Sequence, residues 1–163
     1  MHTILFATDA SPSAKNATTT AINLAKATGW TLHVVSVWQV PVCEYGYLPL
    51  QYSPELVGIA SQHARTTVEE AAEAAREAGV AATSEVRQGD AIEEICAAAA
   101  ETSADLIVLG AHGWGALKRI VFGSVSIAVL HSAPCPVLVV REDDDEQEEL
   151  EPVGAGSART HAD

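Results

Sequence analysis

Residues 105–110, Asp-Leu-Ile-Val-Leu-Gly, place four large aliphatic side chains in succession between an acid and a glycine. Side chains alternate across a strand, so this segment is apolar on both faces and both must be covered. Strands of that kind belong to parallel sheets, where crossover helices lie over each face. The rest of the chain follows the same logic. His2–Thr8 is a mostly apolar strand, and Asp9-Ala10-Ser11-Pro12 supplies a turn with Ser11 as helix cap and Pro12 at the first helical position. The helix is expected to run to about Thr28, with Ala17, Ala21, Leu24, Ala25 and Thr28 on one face and Gly29 as its stop. A second strand spans 31–38, and 39–53, with Pro41, Gly46, Pro49 and three tyrosines, is an irregular loop.

Ser53-Pro54 opens a longer helix whose apolar positions (Val57, Ala60, Ala64, Val68, Ala71, Ala75, Ala78) fall three or four apart before Gly79. Residues 81–87 are half polar, as in an exposed strand, and Asp90 caps a helix carrying Ile92, Ile95, Cys96 and Ala99. After strand 105–110 and a glycine-rich loop come a short helix, about 124–132, and a last strand, 136–140. Five strands alternating with four helices predict an α/β fold with an open, doubly wound parallel sheet, flavodoxin-like or Rossmann-like. If the first and fourth strands are neighbours, the switch point, where such sheets bind ligands, lies between the loops after Thr8 and Gly110.

Composition bounds the rest. With 163 residues, 48% of them hydrophobic, the chain suits one core. The net charge of −13 disfavours nucleic acid and anionic membranes as partners. Residues 142–163 hold nine acidic residues and one basic residue, with few large apolar side chains beyond Leu150 and Val153, so they read as a disordered acidic tail after a folded unit at 1–141. No apolar run approaches the length of a membrane span, and the start lacks the pattern of a signal peptide, so a soluble cytoplasmic protein is expected. Cys43, Cys96 and Cys135 are too irregularly spaced for a disulfide framework or zinc site and are expected to be small core residues. The six histidines show no metal-ligand spacing.

The loop after the fourth strand carries the chemistry. Gly110 and Gly113 permit close backbone approach or positive φ, and taken alone they read more readily as a tight strand-to-loop turn; set on a strand end before a helix start they point to phosphate binding. Gly123-Ser124 opens a helix whose N–H groups suit a phosphate, with Ser124 and Ser126 as hydroxyl donors; the alternative is an ordinary serine cap. No Lys-Ser/Thr pair follows the glycines, which excludes a Walker loop, although Lys118 and Arg119 stand nearby. Asp9, at the end of the first strand, fits hydrogen bonds to ribose or adenine, a phosphate-bound Mg²⁺, or a cap on the helix beginning near Pro12. His112 fits either a ribose or phosphate contact or plain solvent exposure. Tyr45, Tyr47 and Tyr52 fit a ligand cover, a partner surface or a partly ordered loop, and Trp114 reads as a hydrophobic anchor.

Read from Gly110, Gly113, Gly123 and Ser124, the spacing Gly-x2-Gly-x9-Gly-Ser resembles the nucleotide-binding pattern of the universal stress protein family. Ile4–Ser11 is similar to that family's first strand and acidic turn, 32–37 to its second strand, and 134–140 to its last. Gly89-Asp90-Ala91 stands where the family often has Gly-Asp-Pro. The resemblance spans 1–141 and implies a 3-2-1-4-5 sheet of the adenine nucleotide alpha hydrolase-like kind, an ATP-binding protein and a homodimer. It implies that Ala7, Thr8 and Asp9 line base and ribose, Val37 touches adenine, and Gly110, Gly113, Gly123, Ser124 and Val125 cradle ribose and phosphates, with Ser126 a weaker member. Some members carry a proline at position 7, where this chain has Ala7.

The last strand, apolar on both faces yet at a sheet edge in that order, is expected to pair across a two-fold axis through Val137–Val140. No general base, nucleophile pair or arginine clamp points to efficient catalysis. The expected function is therefore ATP binding in a regulatory or stress-response role. The alternatives are a weak ATPase or autokinase acting on Ser124 or Ser126, an AMP or cyclic AMP binder, and a nucleotide-free dimeric interaction module. Gly123→Val is expected to block phosphate approach while sparing the fold.

Overall fold

The structure, a computed structural model, describes residues 2–39, 54–112 and 122–141, without the side chains of Pro54 and Leu56. Its elements are β1 (Thr3–Ala7), α1 (Pro12–Thr28), β2 (Thr31–Trp38), α2 (Pro54–Glu77), β3 (Ala82–Gln88), α3 (Ala91–Glu101), β4 (Leu106–Gly110), α4 (Ser124–Ser132) and β5 (Val137–Val140). All strand pairs are parallel, in the order β3-β2-β1-β4-β5. The loop expected at 39–53 (beyond Gln39), Cys43, Gly113, Trp114, Lys118, Arg119 and the acidic tail lie outside the described residues.

Alternation along the strands divides the core into two layers. Ile4, Phe6, Leu32, Val34 and Val108 face α1 and α2, meeting Ala17, Ala21 and Ala25 of the first helix and Val68, Ala72 and Ala75 of the second. Leu5, Val35, Ile107 and Leu109 face the other way, toward Ile95, Ala98 and Ala99 of α3 and Val129 of α4. Ile4, Leu5 and Phe6 are therefore all fully buried although they point to opposite faces. The alanine stripes let helix backbones approach the sheet closely, which leaves the large side chains to the strands.

Local signals set the element ends. Ser11 caps α1, its Oγ accepting the Ala14 N–H at 3.4 Å, and Gly29 closes the helix at φ +72°, with its N–H donating to the Ala25 carbonyl. Glycine adopts that left-handed conformation without the Cβ clash that other residues meet. Asp90 caps α3 by accepting the Ile92 and Glu93 N–H groups at 2.9 and 3.2 Å. The buried face of α1 differs from the expected one at both ends. Ser13 and Ala14 are buried, whereas Thr28 is exposed and returns its hydroxyl to the Leu24 carbonyl at 2.7 Å. Cys96 and Cys135, expected in the core, are free thiols of intermediate exposure, and partial burial pushes both thiols above their ordinary range.

The two sheet edges contrast. On β3, Glu85 bridges His33 Nε2 at 3.2 Å and the Arg87 guanidinium, which also pairs with Glu94 at 3.4 Å and with Glu101. The Glu101 hydrogen bond holds the arginine's pKa above its usual value. On β5, Leu138 is 36% exposed. Among the described residues no helix is long and apolar enough to cross a membrane.

Candidate functional site

From β1 the chain moves outward through α1 to β2, and from β4 through α4 to β5 on the other side, so the topology switches direction between β1 and β4. At the carboxyl ends of these strands lies a cleft of about 460 Å³. Its floor is a row set by strand register: Val35 beside Ala7, and Ala7 beside Leu109. Val37, Ala91 and Ile95 extend the apolar wall. The small side chain at Ala7 keeps the middle of the row low.

Thr8 and Asp9 form one rim. Thr8 keeps a last ladder bond, its N–H donating to the Val35 carbonyl at 2.9 Å, before the chain turns. The turn is locally fixed: the Ser11 N–H donates to Asp9 Oδ1 at 2.9 Å, and the Ala10 N–H donates to Thr8 Oγ1 at 3.3 Å. Ala10 sits at φ +61°, a conformation costly for a residue with a Cβ. Of the alternatives open for Asp9, the cap of α1 belongs to Ser11; the exposed Asp9 braces the turn and lines the cleft.

The opposite rim is the end of β4 and the start of α4. Gly110, His112, Gly123, Ser124, Val125 and Ser126 all line the cleft, as do Ala14, Ala111 and Phe122. The structure thus brings together every expected site residue within its described range; Gly113 is outside it. Three readings change. A Cβ on Gly110 would lie 2.7 Å from Ser13 Oγ and 2.8 Å from the Ala14 nitrogen, so this glycine admits the start of α1 against β4. Ser124 is no cap, because Gly123 occupies the N-cap position and brings no side-chain hydrogen bond to α4. Ser126 is buried, with its hydroxyl directed at the carbonyls of Ala111 and Gly123 at 3.0 and 2.9 Å, and so supports the loop stem. A Cβ on Gly123 would approach the Ala111 carbonyl oxygen to 3.2 Å, so Gly123→Val would disturb the stem as well as the cleft.

Val35 and Ala91, with Ile95, Phe122, Ala14, Leu109 and Ala111, line the cleft without being among the site residues expected from sequence. The first two left a trace there: Val35 shares a strand face with Val37, and Ala91 follows the Gly89-Asp90 cap. Ile95 reads simply as core, and only packing shows it at the cleft. Among the described residues no group of three or more His, Cys, Asp or Glu side chains is placed to hold a metal.

A model of the universal stress protein family matches residues 1–141. The chain is 34% identical to universal stress protein MJ0531 of Methanocaldococcus jannaschii over 85% of this chain and 81% of that protein. It superposes on universal stress protein UspA from Lactobacillus plantarum with a TM-score of 0.74 at 28% identity, covering 86% of this chain and 97% of that one. A further universal stress protein, solved in complex with cAMP, shares the fold with a TM-score of 0.64 at 24% identity, over 86% of this chain and 97% of that one. By fold and by sequence over its first 141 residues, the chain belongs to the universal stress protein family.

Proposed function

We propose that this universal stress protein binds ATP as a regulatory ligand in a cytoplasmic stress response, without efficient turnover, and that residues 1–141 form the binding unit. The observation that carries the reading is the start of α4. Ser11 and Asp90 cap α1 and α3 with side-chain oxygens, but α4 begins at Gly123 with no side-chain cap and opens onto the cleft. A helix start of that kind offers N–H groups and the positive end of the dipole to a phosphate. The rest of the lining fits the same ligand. The flat apolar row of Val35, Ala7 and Leu109 with Val37 and Ile95 suits a purine face, and Asp9 on the rim suits ribose hydroxyls or a phosphate-bound Mg²⁺. ATP when bound would supply the phosphate charge that this lining complements, and Gly113 would complete the glycine cradle.

The autokinase alternative narrows to Ser124, which is exposed at the helix start, because Ser126 is buried and engaged. Native mass spectrometry of the purified protein, followed by thermal shifts with ATP, AMP and cAMP in the presence of Mg²⁺, tests the reading. ATP retained or giving the largest shift supports it. A larger shift with AMP or cAMP reassigns the ligand. No nucleotide and no shift would leave a dimeric interaction module. Phosphate release above background that disappears in Asp9→Ala would move the protein to the weak ATPase class.

A further inference from the structure

We infer that Ser11 and Ser13, at the start of α1, are positioning residues that set the phosphate end of the cleft; this rests on the nucleotide reading above. Both side chains are buried, at 0% and 2% exposure. Buried hydroxyls need hydrogen-bond partners, and here both use the same distant residue. Ser11 Oγ donates to the His112 carbonyl at 3.0 Å. Ser13 Oγ also meets that carbonyl and accepts the His112 N–H at 3.1 Å. The backbone polar groups of His112, the last described residue before the glycine loop, are therefore both held by α1.

Ser11 connects three parts of the cleft at once. Its N–H holds the Asp9 carboxylate, its oxygen caps α1, and its hydroxyl proton goes to His112. One residue before His112, the Ala111 carbonyl accepts the Gly123 N–H at 2.7 Å and the Ser126 hydroxyl at 3.0 Å. The start of α4 is thus referenced to the start of α1 through two residues of backbone. Ser13, the second residue of α1, is not needed to start the helix, since Ser11 already caps it by accepting the Ala14 N–H. Among the described residues its hydroxyl hydrogen-bonds only to His112. A buried hydroxyl used this way fixes a backbone direction rather than a helix.

The consequence is selective. Releasing His112 should let the phosphate end drift while the apolar row under the base, built from strand register, stays in place. Calorimetric titration of the full chain and of Ser13→Ala with Mg-ATP and with adenosine reads this directly. Ser13→Ala is expected to weaken ATP by about fivefold to tenfold, the equivalent of one hydrogen bond's worth of misplacement, with adenosine affected by less than about twofold. Equal losses for both ligands, or none for either, would overturn the positioning role while leaving the nucleotide reading intact. If wild-type protein binds neither ligand, the nucleotide reading itself fails. Amide exchange on nucleotide-free wild-type protein gives a check that requires no variant. The His112 and Gly123 amides should be protected before ligand is added, and free-peptide exchange at His112 would equally sink the inference.

Discussion

Gly110 and Ser13 stand so close that a β-carbon on the glycine would lie 2.7 Å from the serine Oγ. A glycine of the Gly-x2-Gly-x9-Gly-Ser pattern is here required first by protein against protein, since the Ala14 backbone nitrogen is nearly as near, at 2.8 Å. Gly110→Ala must push α1 off β4 or bend the strand end. It should destabilise the fold by about 1–3 kcal/mol, as overpacking does. Urea denaturation of the nucleotide-free protein measures it, and an unchanged midpoint would refute the steric assignment.

The acidic turn stores backbone strain. Ala10 holds φ +61°, where glycine has no Cβ to clash. Ala10→Gly should stabilise the protein by about 1 kcal/mol and raise Tm by about 2–4 °C, while Ala10→Val should do the reverse. Calorimetric melting of the three proteins provides the comparison.

At the opposite end of β1, Asp105 accepts hydrogen bonds from His2 Nδ1 and from the Thr3 N–H, each at 2.8 Å, and returns its own N–H to the Thr3 carbonyl at 2.9 Å. The His2 hydrogen bond, then the Thr3 amide, hold this carboxyl below its ordinary value of 3.8. A depressed native pKa means that the unfolded chain takes up the proton first as pH falls. The stabilisation is thus complete above the ordinary value and disappears as pH drops through the native one. Asp105→Asn should flatten that part of the acid limb of a stability-against-pH curve, and a limb identical to wild type would exclude Asp105 as a contributor.

Leu138, 36% exposed on the β5 edge, contrasts with the glutamate–arginine cluster along β3. An apolar open edge invites pairing, and charge along an edge discourages it. Sedimentation should find a dimer through Val137–Val140, and Leu138→Glu should return it to monomer. A wild-type monomer at all concentrations would remove the interface.

Much of the architecture was legible without coordinates because it rests on near neighbours in sequence. Apolarity on both strand faces at 4–6 and 106–109 requires covered layers, hence parallel strands and crossover helices. Ser11, Gly29 and Asp90 act on backbone groups within four residues, so their capping roles could be read locally. The cleft's place followed from the switch point, and its glycines, serines and Asp9 were named by pattern.

What pattern could not divide was the work among those residues. Whether Gly110 yields to a ligand or to α1, whether Ser126 points outward or into the stem, and whether Ser13 is one more helix residue all depend on groups far away in the chain. Ser13 and His112 are 99 residues apart and meet only when β4 is laid beside β1. Hydrogen bonding and steric exclusion act over a few ångströms of space, whatever the separation along the chain. Periodicity and caps therefore determined the layers by themselves, and only tertiary packing decided which polar groups face the cleft and which hold it open.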